Sequence, residues 1–416
     1  MKFVADFHIH SKYSRATSKD MDLESLDKWA KIKGIKVLGT GDFTHPEWFH
    51  NLKEKLEPAE PGLFKLKNED AGTRFVLTSE ISCVYSRKNR VRKIHIIIFA
   101  PSFEAVEKIN THLGWIGNLK SDGRPILGLD AKELAKIVLG ISEDCLVVPA
   151  HIYTPWFSLF GSKSGFDSIE ECFEEYSKHI YAGETGLSSD PPMSWRNSAL
   201  DKITLISNSD AHSPQKIGRE ANVFDLPFLS YSSITMAIKT KDPQSFLYTV
   251  EFFPQEGKYH YDGHRNCGIS LSPEESKKYN NVCPTCGRPL TIGVMNRIEE
   301  LADRPVGFKP PNVIPFKNLV PLGEIIAESL GVGVASRQVQ EEYKNLIKKL
   351  GNELNVLLEI TKEELAAATL PEIAEGIVRV REGKVFIEPG YDGVYGKIRI
   401  FSQGEQKSLS RQKTLI

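Results

Sequence analysis

The chain has 416 residues, 53 basic and 54 acidic side chains, a net charge of −1, and 40% hydrophobic and 26% charged residues. That length argues for two or three domains, and the composition excludes disordered, fibrous and membrane-embedded classes. No apolar run is long enough to cross a membrane, and Asp6 and His8 interrupt the N-terminus where a secretion signal keeps its apolar core, so a cytoplasmic location is expected.

In chain order, β-rich runs at 2–7, 36–38, 75–78, 93–99, 145–149, 179–181 and 203–207 alternate with helical periodicities at 23–33, 105–113, 131–139 and 168–177. Such alternation predicts an α/β fold with a parallel sheet, open or closed. Around Glu251 the texture turns polar and loop-like, in EFFPQEGKYHYDGHRNCG, and CPTCGRPL follows. Helical patterns return at 321–330 and 336–350, and VFIEPGYDGVYGKIRIF predicts a strand pair around a Gly/Asp turn. Boundaries near 250 and 296 give three expected units: 1–250, a module at 251–296, and a mainly helical α+β domain at 297–416.

The chemistry-bearing residues sit at strand ends. His8 and His10, two apart, leave one face of the first strand. Asp42 and His45 follow the second run, Glu80 follows the third, and His95 lies within the fourth. His151 directly follows the fifth, and Asp210 and His212, again two apart, follow the last. The C-terminal ends of parallel strands open onto one face, so these nine residues are expected to converge. Each alone is more often an ordinary structural residue; their recurrence at successive strand ends is what points to metal. Imidazole plus carboxylate suits zinc, iron or manganese, with Glu80 able to bridge neighbouring ions. Such a cluster suits phosphate-ester hydrolysis, because ions lower the pKa of bound water and neutralise phosphoryl charge. Glu184 and Asp190, in GETGLSSDPP, follow the run at 179–181 and are expected at the same face as general acid or base. The alternatives are a histidine-orienting role for Glu184 and a turn role for Asp190 before Pro191.

FHIHSKYS, GTGDFTH, the Glu80 strand end, PAH and SNSDAH resemble, in order, the motifs of the polymerase-and-histidinol-phosphatase (PHP) family. The resemblance covers the first 215 residues and implies a distorted (β/α)7-type barrel. It also implies two or three divalent ions in the site, zinc with magnesium or manganese as alternatives. The chain departs at the second motif, where Phe43 stands in place of the family's histidine and His45 lies two further on.

Three of the six cysteines, Cys83, Cys145 and Cys172, lie in apolar neighbourhoods and are expected to be buried. The others form two knuckles, His264-x-x-Cys267 and Cys283-x-x-Cys286, with the spacing of a zinc-ribbon-like four-ligand site. His260 is a rival for the fourth position. A closed tetrahedral zinc site serves folding rather than catalysis.

YHYDGHRNCG, CPTCGRP, VPLGEIIAESLGVGVASRQVQEEYKNLIKKLG and EPGYDGVYGKIRIF extend the likeness, so that the whole chain resembles the endonuclease Q family. That resemblance implies a DNA-repair endonuclease associated with the nucleoid. Its expected action is incision on the 5′ side of deoxyuridine, deoxyinosine, deoxyxanthosine or an abasic site, leaving 3′-hydroxyl and 5′-phosphate ends. It also implies that a carboxylate of the SSDP segment, Asp190, acts at the metal cluster.

Two local features suit damaged DNA as a partner. A lesion enzyme extrudes the base and fills the gap with apolar wedges. The run after His151 offers Tyr153, Trp156, Phe157 and Phe160, with a core-packing loop as the alternative. Arg87, Lys88, Arg90, Arg92 and Lys93 form a basic cluster that could meet the DNA backbone or simply be a solvated hairpin tip. The final SRQKTLI begins as a sliding-clamp box does but lacks the paired aromatics, and a polar tail is the alternative. Two other functional classes stay open: a phosphatase of a small metabolite, and a non-catalytic DNA-binding accessory.

Overall fold

The N-terminal run alternates between two environments, as a strand buried on both faces must. In β1 (Lys2–Asp6) and just beyond it, Phe3, Ala5 and Phe7 enter one hydrophobic core, while Val4 and Ile9 pack against another. The computed structural model describes residues 1–67, 72–402 and 404–405. The strands that follow are β2 (Ile35–Gly39), β3 (Leu56–Pro58), β4 (Phe64–Leu66), β5 (Arg74–Arg87) and β6 (Arg90–Ala100). After them come β7 (Ile126–Leu127), β8 (Leu146–Pro149), β9 (Ala182–Glu184), β10 (Thr204–Ile206), β11 (Ala221–Asp225) and β12 (Phe246–Glu251).

The result is a mixed α/β architecture around a central sheet. β1, β2 and β5 run parallel, β11 and β12 continue the sheet antiparallel, and β6 joins β5 and β8 antiparallel. β9 and β10 form a separate parallel pair. Two contacts tie that pair to its neighbours: Ile152 N donates to Glu184 O at 2.9 Å, and Ile9 bridges Ala211. Residues of β1, β2, β5, β6, β8, β9, β10, β11 and β12 enclose one core containing Phe3, Phe7, Phe99, Phe224 and Phe246. Burial of each phenylalanine contributes about 1.5–3 kcal/mol. The larger core lies outside, under helices such as Leu23–Lys33, Phe103–Ile116 and Ala131–Ile141.

The sheet departs from the all-parallel expectation at β5 and β6. Instead of two separate short strands ending at 78 and beginning at 93, one long antiparallel hairpin pairs Leu77 with Ala100 through Arg87 with Arg90. Its turn is Lys88-Asn89, both at positive φ (52° and 57°), the backbone that a two-residue hairpin requires. Polar Ser79, Ser82 and Ser86 conceal the middle of this strand from a hydrophobicity reading. The helix expected at 168–177 is only Ile169–Phe173, followed by a 3-10 turn at Glu174–His179, because Glu174 takes φ 46°.

Toward the C-terminus, helices Leu322–Leu330 and Arg337–Leu350 form where expected, and Phe386–Glu388 pairs antiparallel with Lys397–Arg399. The strand Phe316–Asn318 joins the central sheet parallel to β12. Lys33 in the first helix meets Glu353 at 2.6 Å, with both side chains more than nine-tenths buried. Removing one partner of such a pair costs about 3–5 kcal/mol. Among the described residues no helix is long and apolar enough to cross a membrane. The SRQKTLI tail considered for a sliding clamp lies outside the described residues.

Candidate metal centre

Just past β1, the rings of His8 and His10 are each gripped from behind. His8 Nδ1 lies 3.0 Å from Glu184 Oε1, and His10 Nδ1 lies 3.1 Å from Asp42 Oδ1. A carboxylate on Nδ1 fixes the tautomer and turns the Nε2 lone pair outward, as in metal-ligating histidines. Both Nε2 atoms face Asp210 Oδ1, at 3.7 Å and 3.1 Å. Among the described residues His8 Nε2, His10 Nε2 and Asp210 Oδ1 are buried without an aligned hydrogen-bond partner. Three orphaned donor atoms of zinc-type chemistry directed at one point fit an ion.

A second donor group adjoins the first. Glu80 Oε1 lies 2.7 Å from His95 Nδ1 and 3.1 Å from His151 Nε2. Glu80 Oε2 lies 3.3 Å from His10 Nε2 and 3.5 Å from His8 Nε2. One carboxylate thus touches both groups, the position a bridging ligand would take. Burial alone would lift the Glu80 carboxyl, but the charges of His95, Arg124 and His8 outweigh it and hold it well below its ordinary range. Glu80 and His95 lie inside the β5–β6 hairpin rather than at strand ends.

Three residues here adopt left-handed backbone: Asp42 (φ 48°), His151 (φ 31°) and Asp210 (φ 47°). Non-glycine residues hold such conformations at a cost of about 1–3 kcal/mol each, and strain of this kind concentrates at functional sites. Gly186 is required beside them, since a Cβ there would lie 2.6 Å from His151 Cβ.

The other expected ligands take different places. Asp42 backs His10 and does not join either donor group: its Oδ2 already accepts from Ser11 N (2.6 Å), Ser11 Oγ (2.7 Å) and Ser14 Oγ (2.8 Å). His45 also lies outside both groups, its ring stacked on Tyr13 at 4.4 Å. His212 stands beside His10, ring centroids 4.5 Å apart, and is anchored by Nδ1 on the Asp210 carbonyl. Glu184 stands behind His8 and accepts also from Asn208 Nδ2 and His151 N at 2.9 Å each. Asp190 caps the short helix Pro191–Ser194 through Met193 N, and burial lifts its carboxyl to about 6.

Two residues of the site lack a sequence signal. Asn208 is fully buried and links Phe7 N to Glu184. It lies within SNSDAH but is neither charged nor a metal donor. Arg124, in the loop SDGRP, places Nη1 3.0 Å from Glu80 Oε2.

The structure divides the residues expected to meet DNA. Arg92 is buried, donates to Gly165 O and packs over the Phe166 ring at 4.0 Å. Arg87 donates to the carbonyls of Glu171 and Cys172. Both belong to the fold instead of a solvated tip; Lys88 and Arg90 are exposed. Tyr153 and Phe160 are core residues whose rings meet at 5.3 Å. Trp156 is half exposed and Phe157 packs against His95 at 4.8 Å, with Lys93 Nζ over both rings.

Away from this centre, donor atoms of His264, Cys267, Cys283 and Cys286 lie within 4.8 Å of one another. Burial pushes the Cys283 thiol up, but backbone N–H groups of Cys286 and Thr285 outweigh it and bring it to about 6, favouring thiolate. His260 is not in that group; its buried Nδ1 lies without a partner among the described residues, and the residue lines a neighbouring cavity.

Residues 321–384 match the family model described as the MJ0043 C-terminal domain. The protein MJ0043 of Methanocaldococcus jannaschii is 36% identical over 256 residues, 59% of this chain and 31% of that protein. The chain therefore spans less than a third of that relative's length in the match. YqxK of Bacillus subtilis is 30% identical over 418 residues, 96% of this chain and 99% of YqxK. The lesion-specific endonuclease Q of Pyrococcus furiosus superimposes with a TM-score of 0.86 at 33% identity, over 98% of this chain and 99% of that one. Endonuclease Q on a 27-mer duplex with an abasic lesion at its active site gives 0.84 at 33% identity, over 97% and 98%. Fold and donor set are those of a metal-dependent nuclease. With likeness running the length of both chains, this chain belongs to the endonuclease Q family.

Proposed function

We propose that the chain is a DNA-repair endonuclease that hydrolyses the phosphodiester on the 5′ side of a deaminated or missing base, with deoxyuridine, deoxyinosine, deoxyxanthosine and abasic sites as targets. One observation carries the reading: a paired donor centre in a chain that matches, over 97% of its length, an endonuclease Q held on an abasic duplex. We read the nine-strand core as the PHP barrel within residues 1–250, the cysteine knuckles as a structural zinc ribbon at 251–296, and 297–416 as a supporting domain.

His8, His10 and Asp210 would hold one ion and Glu80, His95 and His151 another, with His212 at the rim; zinc, magnesium and manganese all suit parts of this set. Bound ions supply neutralisation of phosphoryl charge and a lowered pKa for water. Glu184 and Asp42 orient the imidazoles, and Asp190, whose carboxyl burial lifts to about 6, would exchange a proton near that pH. A cavity of about 630 Å³ includes Thr154, Ser188, Arg219, Phe252, Tyr259 and His260 in its lining. Thr154 Oγ1 lies 3.1 Å from His151 Nδ1, which joins that cavity to the centre. In this reading it receives the extruded base while Trp156 and Phe157 support the opened stack.

The test is a duplex with a single deoxyuridine, incubated with the protein and divalent metal. A single nick 5′ to the lesion is expected. Release of phosphate from small monoesters without nicking would instead mark a metabolite phosphatase, and tight metal-independent binding without cleavage an accessory protein.

A further inference from the structure

Arg124 is a cation set inside a cation-binding centre. Its Nη1 donates to Glu80 Oε2 at 3.0 Å, the same oxygen that His10 and His8 face. A positive group there works against ion binding unless it serves something else in the site. The loop carrying it is built to hold it. Asp122, itself buried, accepts from Arg124 N and Arg15 N at 3.2 Å each. Gly123 N donates to Tyr13 O at 3.1 Å, and Thr44 Oγ1 donates to Gly123 O at 3.3 Å. Gly123 has no room for a side chain, since a Cβ would lie 2.2 Å from Asp42 Oδ2 and 2.4 Å from Ser14 Oγ. The loop is thereby pressed onto the groups that orient His10.

The guanidinium sits at the mouth of the centre. Its side chain is 27% exposed, whereas that of Glu80 is fully buried. Of its five N–H donors, one is taken up by Glu80. Were Glu80 to hold an ion, its Oε2 would be shared and the Arg124 fork would be free to turn to another acceptor. A planar fork with spare donors beside paired ligand groups suits bidentate contact with phosphate oxygens.

We propose that Arg124 is the phosphate clamp of this centre: it binds the non-bridging oxygens of the scissile phosphodiester and, after cleavage, the 5′-phosphate of the product. Asp122 is the positioning residue that fixes its backbone. This rests on the endonuclease reading above.

The probe is a nicked duplex carrying either a 5′-phosphate or a 5′-hydroxyl at the nick, which reports binding without turnover. The wild-type holoenzyme should prefer the phosphate by tenfold or more. In Arg124→Ala that preference should fall by about tenfold, with ion content unchanged, and Arg124→Lys should recover part of it. Cleavage of the intact lesion duplex should fall with it, chiefly in kcat. An unchanged phosphate preference in Arg124→Ala overturns the proposal, and so does loss of ions from that variant, which would make Arg124 a support for Glu80. A wild type that fails to nick the lesion duplex refutes the endonuclease reading itself, a result separable from either.

Discussion

Glu184 stands behind His8 as its holder, Oε1 3.0 Å from Nδ1, and the same carboxylate accepts the backbone N–H of His151 and the amide of Asn208. Three donors thus converge on one buried side chain that orients a ligand from each of the two donor groups. Glu184→Gln should retain the fold but lower metal affinity by about 10–100-fold, because an amide cannot accept from all three donors. Metal titration followed by calorimetry checks this; unchanged affinity would return Glu184 to direct acid–base chemistry.

The cysteine knuckles should act in folding alone. Cys283→Ser is expected to remove one equivalent of zinc and lower the melting temperature while the His8 centre keeps its ions. Elemental analysis of wild type and variant decides it, and equal zinc in both would remove the module from the account.

The β5–β6 hairpin should separate into two kinds of basic residue. Lys88→Ala with Arg90→Ala should weaken binding to all duplexes alike and flatten its salt dependence. Arg92→Ala should instead destabilise the protein, by about 1–3 kcal/mol, since it deserts the Gly165 carbonyl and the Phe166 ring. A chemical melt of Arg92→Ala matching wild type would contradict the division.

Asp190 allows stability and the proposed proton role to be tested in one variant. Burial raises its carboxyl from 3.8 to about 6, so the folded state favours the protonated form. That contribution is fully present below pH ~4 and is lost as pH rises through about 6. Asp190→Asn keeps the helix cap and removes the buried charge, so at pH 8 it should be more stable than wild type, by up to about 2–3 kcal/mol. On the proposed proton-carrying role it should also lose cleavage of the deoxyuridine duplex by roughly a hundredfold or more. Paired melts at pH 5 and pH 8 check the first part. A fully active variant would move the proton chemistry to Glu184 or to the ions unaided.

How far the sequence reveals this centre depends on where each residue sits. His8 and His10 come two apart after the first strand, so a period-two reading puts them on one face, and His151 and Asp210 come after the ends of other short apolar strands, which open onto that face. Glu80 and His95 are recognisable as donors, but their setting is not, because serines interrupt the apolar pattern of β5 and hide the hairpin. Whether a carboxylate binds an ion or the histidine behind it is invisible in sequence: Asp42 and Asp210 both follow strands, yet Ser11 and Ser14 saturate one and leave the other open. Arg87 and Arg92 read as surface charge because their partners, Glu171, Cys172 and Gly165, lie about 70 to 85 residues away. Arg124 carries no signal, since a lone arginine in a Gly/Pro loop is ordinary.

The His8–His10–Asp210 and Glu80–His95–His151 groups are proposed to carry out the cleavage. The most direct measurement compares wild type with His8→Ala, His10→Ala on one end-labelled duplex containing a single deoxyuridine, recording binding and cleavage together. A single metal-dependent nick 5′ to the lesion is expected for the wild type. No cleavage is expected from the double variant, whose affinity should stay close to wild type because backbone contacts come largely from basic groups elsewhere. Near-normal cleavage by the double variant would contradict that role.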